Sequence, residues 1–283
     1  MKLIECPRDA MQGLELFIPT EKKILYINKL LEVGFDTIDF GSFVSSKAIP
    51  QMRDTAEVLE KLNWRESNSK LLAIIANTRG AEEASHHEGI SYLGFPLSIS
   101  ETFQKRNTNK SIAEALNSII EIQNICATAN KKLVTYISMG FGNPYNDPYD
   151  VNLVSQFVDI LVTLRVKIIS LADTIGVSTP QNIALLFKDL QKKFPDVEFG
   201  AHLHSNPLSA YEKIAAAYEA GCRRFDGALR GFGGCPMAKD ELVGNLATEV
   251  IVSYLKEKGI VSKINESAFI EAQAVADSIF PSH

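Results

Sequence analysis

Two histidines one residue apart, in GAHLHSNP (residues 200–207), are the first feature of this chain with obvious chemical potential; the chain has only five histidines in 283 residues. The pair follows VEFG, an apolar stretch that reads as a strand. Side chains alternate faces along a strand, so positions i and i+2 point the same way. His202 and His204 therefore share one face and Leu203 takes the other. Two imidazoles on one face are a ready pair of ligands for a divalent cation. An HxH strand also suits an ordinary hydrogen-bonded pair without metal, and the motif alone leaves both readings open.

What the pair can do depends on the elements that carry it. The chain repeats one theme: a short aliphatic or β-branched run, a loop, then a helical pattern. The runs are KLIEC (2–6), TIDFGSF (37–43), KLLAIIAN (70–77), SYLGFPLS (91–98), KLVTYISM (132–139), KIISLAD (167–173), EFGAHLH (198–204) and RRFDGAL (223–229). Amphipathic stretches lie between them at 20–34, 109–130, 179–194 and 207–221. In the first of these, Thr20 is the expected N-cap and Gly34 the expected glycine just past the helix end. Eight such units predict a (β/α)8 barrel, a TIM barrel, forming a single catalytic domain over 1–283. An additional C-terminal helix over 266–280 is expected to pack outside it. A doubly wound open sheet would want a glycine-rich fingerprint after the first strand, and CPRDAMQG is not one.

In a barrel of this kind, chemistry gathers at the C-terminal ends of the strands. The polar residues expected there are Arg8 and Asp9, then Asp39 and Ser42, Asp173 and Thr174, His202 and His204, and Arg230 and Cys235. Asp9 is placed to add a carboxylate oxygen to the two imidazoles, because only one strand separates the first from the seventh. Such an oxygen–nitrogen set suits Mg2+ or Mn2+, with Zn2+ as a further candidate. Taken singly, Arg8–Asp9 also fits a structural ion pair, Asp173–Thr174 a turn or capping device, and Cys235 an inert thiol.

Composition narrows the partners. A net charge of −5 with no basic stripe speaks against nucleic acid. No apolar run approaches the length of a membrane span, and the N-terminus does not read as a signal peptide, so a cytoplasmic location is expected. Cys6, Cys126, Cys222 and Cys235 are widely spaced, which argues for reduced thiols rather than a disulfide framework or zinc knuckle.

Taken together, RDAMQG, SFVSSKAIPQM, SLADTIGVSTP, HLH, GFGGCP and GNLATE resemble, in order and spacing, the motifs of the 3-hydroxy-3-methylglutaryl-CoA lyase family. The resemblance runs from Leu3 to about Ile264. It implies metal-dependent cleavage of 3-hydroxy-3-methylglutaryl-CoA into acetyl-CoA and acetoacetate, an acyl-CoA partner and a homodimer. Carried onto this chain, it makes Asp9, His202, His204 and Asn245 metal ligands and Arg8 the stabiliser of the thioester enolate. Cys235 becomes the reactive cysteine of the glycine loop, His202 and Asp39 join the catalytic set, and Gln12, Ser42, Ser170, Asp173 and Thr174 line the substrate.

The chain departs from the family pattern at several points. Asp39 stands where the family has Glu, Ala10 where it has Gly, and Ser205–Asn206–Pro207 where it has Asp-Thr-Tyr. The usual Cys-Pro pattern is missing near residue 139, Met237 replaces a Tyr, and Arg230 is an added cation. None is a proposed metal ligand, and several fall where an acyl chain would rest. A related acyl-CoA lyase or Claisen-type synthase is therefore a second reading. An inactive metal-binding scaffold barrel is a third, from a different class. The basic segment with Lys105, Arg106 and Lys110 suits either CoA phosphates or plain solvation.

Overall fold

The computed structural model of the protein describes residues 1–234, 243–260 and 264–280. The eight runs become β1 (Lys2–Glu5), β2 (Thr37–Ser42), β3 (Lys70–Ile74), β4 (Ile90–Ser98), β5 (Lys132–Ser138), β6 (Ile168–Asp173), β7 (Glu198–Leu203) and β8 (Arg224–Gly227). They pair in parallel and in chain order, and β1 closes the ring against β8, with Lys2 opposite Arg224 and Glu5 opposite Gly227. The expected (β/α)8 barrel is the fold.

The helices, in chain order, are α1 (Pro7–Gln12), α2 (Thr20–Val33), α3 (Thr55–Glu60), α4 (Thr78–Ser85), α5 (Glu101–Thr108), α6 (Ile112–Thr128), α7 (Val151–Thr163), α8 (Pro180–Lys193), α9 (Ala210–Glu219), α10 (Thr248–Glu257) and α11 (Glu266–Ile279). Two begin with full capping boxes, Ser111 with Glu114 and Thr179 with Asn182, each satisfying two backbone N–H groups that a helix start leaves unpaired. Gly34 ends α2 at φ 87°, where a side chain would be strained. Thr20 is not the N-cap of α2. Pro19, at φ −52°, precedes the helix, Thr20 is its first residue, and its hydroxyl donates to Asp54 at 2.8 Å.

The barrel interior has two unlike halves. On β3 to β6 the inward side chains form an apolar cluster of Leu72, Tyr92, Val134, Tyr136 and Ile168. Across from it, β7, β8 and the segment after β1 contribute His202, Asp226 and Cys6, grouped within 4.8 Å of one another. A much larger apolar layer fills the space between strands and helices. The C-terminal helix α11 lies outside the barrel on α2, as expected, with Phe269 edge-on to Phe35 at 6.4 Å. No described helix is long and apolar enough to cross a membrane.

The seam where β8 meets β1 is tied by Glu5. Its carboxylate accepts from the Leu229 backbone N–H at 2.8 Å and the Thr248 hydroxyl at 2.6 Å. Burial pushes the Glu5 carboxyl up to about 8, against those two hydrogen bonds, which favour the ionised form. In the unfolded chain it ionises near 4.5. Between those values the folded protein holds a proton that the unfolded chain has lost, so stability falls as pH rises through that window. Glu5→Gln keeps an oxygen for the Leu229 N–H, lets the amide N–H donate to the Thr248 hydroxyl instead of accepting from it, and removes the titration. In urea unfolding, the wild-type midpoint should fall from about pH 5 to about pH 8 and that of the variant should fall less. Equal slopes would contradict the assignment.

Candidate active site

After β1 the chain turns at Cys6 into α1, whose first residue is Pro7, a position where the missing N–H costs nothing. This short helix holds Arg8 and Asp9 at the barrel mouth, both buried. Arg8 Nε donates to both oxygens of Asp39, at 3.2 and 3.1 Å, and Nη2 donates to Asp39 Oδ2 at 2.5 Å. Its Nη1 donates to Asp9 Oδ1 at 2.8 Å. Asp9 also accepts from Gln12 Nε2 and Asn245 Nδ2, each at 2.8 Å. Asn245 reaches this point because its segment bridges His204, and the same Nδ2 donates to the Phe232 carbonyl at 2.9 Å.

Burial alone would weaken the Arg8 charge, but Asp39 and Asp9 outweigh it and hold the guanidinium above its ordinary range. Burial likewise opposes ionisation of Asp9; Arg8, the two histidines and the Asn245 hydrogen bond together bring its carboxyl below the usual value. For Asp39, burial wins over Arg8 and pushes the carboxyl up to about 6.

The two histidines share a face, as the spacing predicts, with ring centroids 5.4 Å apart and Leu203 buried among the outer apolar layer. Their environments differ. The Nδ1 atom of His202 lies 3.1 Å from Asp226 Oδ2. Burial would lower this imidazole, and the Asp226 carboxylate more than reverses that, leaving its pKa raised. His204 is buried, and neither ring nitrogen makes a well-formed hydrogen bond; the Thr174 backbone beside it offers an acceptor. Burial and the neighbouring His202 push it down to about 4, so it is neutral at pH 7 with lone-pair capacity to offer.

A buried imidazole short of good hydrogen bonds is costly unless something else uses its nitrogen. The atom that would use it is indicated by its neighbours. Ligand atoms of Asp9, His202 and His204 lie within 4.8 Å of one another, and His204 Nε2 is 4.0 Å from Asp9 Oδ2. One carboxylate and two imidazoles form a donor set that fits a divalent cation. Asn245, held on Asp9, has an amide oxygen to add. Cys6 and Asp226 make a second group with the same His202 imidazole.

A cavity of about 420 Å³ opens above this set, and Arg8, Asp9, Gln12, Ser42, Thr174, His202 and His204 line it. Ser42 reaches the wall because the β2–β3 register shifts between Asp39 and Gly41. That bulge presses Gly41 against Thr55, where a Cβ would come within 2.6 Å of its methyl, and re-aims Ser42 at the mouth. The Ser42 hydroxyl has no partner there. Thr174 accepts from the Met139 N–H at 2.9 Å, joining the ends of β5 and β6.

Four expected site residues sit away from the cavity wall. Asn245 holds Asp9 from beside the cavity. Asp39 lies behind Arg8. Ser170 is buried in the barrel interior, donating to Asp226 at 3.3 Å. Asp173 acts as a turn device: it accepts from the Val177 and Ser178 N–H groups at 2.9 Å and from Lys213 at 3.0 Å. Cys235 lies outside the described residues. Arg230 is no free cation, since it pairs with Asp277 at 2.7 Å and holds α11. Of the basic segment, Arg106 alone lines the cavity, while Lys105 pairs with Glu101 and Lys110 donates to Ser118. Sequence reasoning missed Asp226 and Lys213. Asp226 carries a legible signal, being an acidic residue within a strand, spaced i+2 from Arg224.

A family model described as HMGL-like matches residues 3–276. The chain is 33% identical over 266 residues to a hydroxymethylglutaryl-CoA lyase of Bacillus subtilis (strain 168), covering 94% of this chain and 88% of the relative. It is 30% identical to the (R)-citramalyl-CoA lyase of Chloroflexus aurantiacus over 278 residues, 94% of this chain and 86% of that one. Among solved structures, an HMG-CoA lyase from Acinetobacter baumannii, in complex with coenzyme A and 3-methylmalate, superposes with a TM-score of 0.91 at 31% identity, covering 98% of this chain and 90% of that one.

The poorly partnered imidazole yields a test. His204→Leu removes a buried imidazole whose nitrogens make no well-formed hydrogen bond, a polar burial that costs about 1–3 kcal/mol. In metal-free buffer the variant should unfold at or above the wild-type temperature. Its Mn2+ affinity, by titration calorimetry, should fall more than roughly a hundredfold, since even an outer-shell partner is worth about 10–100-fold. A variant that melts several degrees lower and binds Mn2+ normally would make His204 a structural residue.

Proposed function

The chain belongs to the HMGL-like family, and on that premise we propose that it cleaves 3-hydroxy-3-methylglutaryl-CoA into acetyl-CoA and acetoacetate, using a divalent cation held by Asp9, His202, His204 and Asn245. The observation that carries this reading is the convergence of Asp9, His202 and the poorly partnered His204 imidazole within 4.8 Å, in the cavity that Arg8 also lines. Mg2+ or Mn2+ suits the oxygen-rich part of the set, with Zn2+ the softer alternative. The similarity to lyases for two different acyl-CoA substrates supports an acyl-CoA lyase in general and leaves the acyl group to experiment.

The reaction breaks the bond between C2 and C3 of the acyl chain. The C3 hydroxyl loses its proton and becomes the ketone of acetoacetate, and the electron pair passes to the thioester as an enolate. A proton then returns to C2 to give acetyl-CoA. The bound cation would acidify the hydroxyl and fix it in place. Asp9 is the basic group at that point, and His202 acts there as a ligand. Arg8 faces the thioester end. Three of its five N–H groups are committed to Asp39 and Asp9, which leaves two to donate to the developing oxyanion. Because both carboxylates hold the guanidinium in place, no reorganisation is needed as charge appears. Ser42 and Gln12 offer polar contacts on the cavity wall, and Arg106 a cation at its rim for the CoA phosphates. Cys235, placed by the resemblance on a glycine loop, is assigned the proton returned to C2.

Mass-spectrometric product analysis with 3-hydroxy-3-methylglutaryl-CoA and citramalyl-CoA tests the proposal. Acetoacetate and acetyl-CoA from the first, lost on chelation and restored by Mg2+ or Mn2+, are expected. Preferential turnover of citramalyl-CoA would move the assignment to that substrate, and turnover of neither would favour the scaffold reading. Arg8→Lys keeps a charge between the two carboxylates but loses the fork. Its kcat should fall roughly a hundredfold with a smaller change in KM, as for loss of an oxyanion donor. A raised KM with normal kcat would make Arg8 a binding residue only. Cys235→Ser should bind Mn2+ normally and lose most turnover; normal turnover would hand the proton return to another group.

A further inference from the structure

His202 has two ring nitrogens facing different ways. Nδ1 is 3.1 Å from Asp226 Oδ2, which leaves Nε2 for the cavity. Asp226 is itself fixed from two strands: it stands on β8, and its Oδ2 also accepts from Ser170 Oγ on β6 at 3.3 Å. The Tyr136 ring closes another side of the imidazole, edge-on at 5.5 Å, and also lines the cavity. Asp226 and Ser170 do not line the cavity, so their hold on His202 comes from behind.

A carboxylate this deep in a barrel needs a compensating cation, and the chain supplies one two residues earlier on the same face. Arg224 is fully buried; burial works against its guanidinium, and Asp226, two residues on along the same face, works for it and leaves it above its ordinary range. Its stem passes over Gly200, where a Cβ would sit 2.9 Å from Arg224 Cδ and 3.0 Å from Ser170 Oγ. Any side chain at 200 would displace one or the other. At its far end Arg224 Nη1 reaches Glu198 at 3.2 Å. Its Nε and Nη2 and Asp226 Oδ1 have no hydrogen-bond partner, so the guanidinium does not draw Asp226 away from His202.

We propose that Asp226 is a positioning residue: it fixes His202 in the tautomer with the proton on Nδ1 and turns Nε2 to the cation, while Arg224, admitted by Gly200, compensates the buried carboxylate. The inference rests on the metal reading of the site given above. A carboxylate behind a ligating imidazole orients the ring and strengthens the ligand. The competing arrangement uses the same atoms differently. Cys6 lies within 4.8 Å of both His202 and Asp226, so Asp226 would be a ligand of an inner metal site instead.

Mn2+ titration followed by electron paramagnetic resonance separates these on wild type, Asp226→Asn, Arg224→Met/Asp226→Asn and Cys6→Ala. The double variant removes both buried charges together, so it folds even where an unpaired Arg224 would not be tolerated. Both Asp226 variants should bind Mn2+ about 10–100-fold more weakly, and Cys6→Ala should match wild type. Nitrogen NMR of histidine-labelled, metal-free wild type, at a pH where the ring is neutral, should show His202 protonated at Nδ1, and the Asp226 variants a mixture. Wild-type affinity in both Asp226 variants, or an Nε2-protonated His202 in wild type, overturns the proposal. An equal loss in Cys6→Ala overturns it in favour of the inner site. Failure of the wild type to bind Mn2+ at all would sink the metal reading beneath it, whereas normal binding with no effect of Asp226 sinks this inference alone.

Discussion

A guanidinium removed from water has to be met by carboxylates, and that requirement shapes the mouth of this barrel. Arg8 is almost wholly buried, and Asp39 from β2 and Asp9 from α1 pair with it. Removing Arg8 would leave two buried carboxylates facing each other uncompensated, a loss of about 3–5 kcal/mol or more. The pairing fixes where Asp9 points. One of its oxygens faces Arg8 and Gln12, and the other meets Asn245 within 4.0 Å of His204. Three distant stretches of chain are brought to one point by a single charge that cannot be left alone.

The same economy of charge explains why the barrel interior is divided. An apolar cluster on β3 to β6 supplies packing, and β7, β8 and the end of β1 supply the polar groups. Below the histidines, Asp226 and Arg224 continue the polar side downward to Glu198 and Lys2. His204 stands at the top of this column as the group whose isolation the fold itself does not repair. A protein selected for stability alone gains nothing from a buried imidazole that makes no well-formed hydrogen bond. That feature, more than the fold, is what the proposed metal site rests on.

Much of this is legible in the sequence because it obeys simple periods. The eight aliphatic runs predict the barrel, and the i, i+2 rule puts His202 and His204 on one face. The same rule, applied to Arg224 and Asp226, carries the interior polar column, but an Arg and an Asp within a strand look like an edge or surface pattern until the barrel closes over them. Ser42 reaches the mouth, as expected, for a reason no period contains, since the register shifts at Gly41, where only a residue without a Cβ fits against Thr55. Ser170 and Asp173 show the opposite limit. Their types suit a substrate, yet neighbours far away in sequence, Asp226 and Lys213, claim them first. Thr20 has the right type for an N-cap, but Pro19 already sets the start of the helix.

At the centre stands the claim that Asp9, His202 and His204 share one divalent ion beside Arg8. Anomalous diffraction from crystals grown with Mn2+ tests it most directly. One strong peak is expected about 2 Å from a carboxylate oxygen of Asp9 and from one nitrogen of each imidazole, with the His202 contact made through Nε2. A mouth with no peak at saturating Mn2+, or an ion bound only between Cys6 and Asp226, would contradict it.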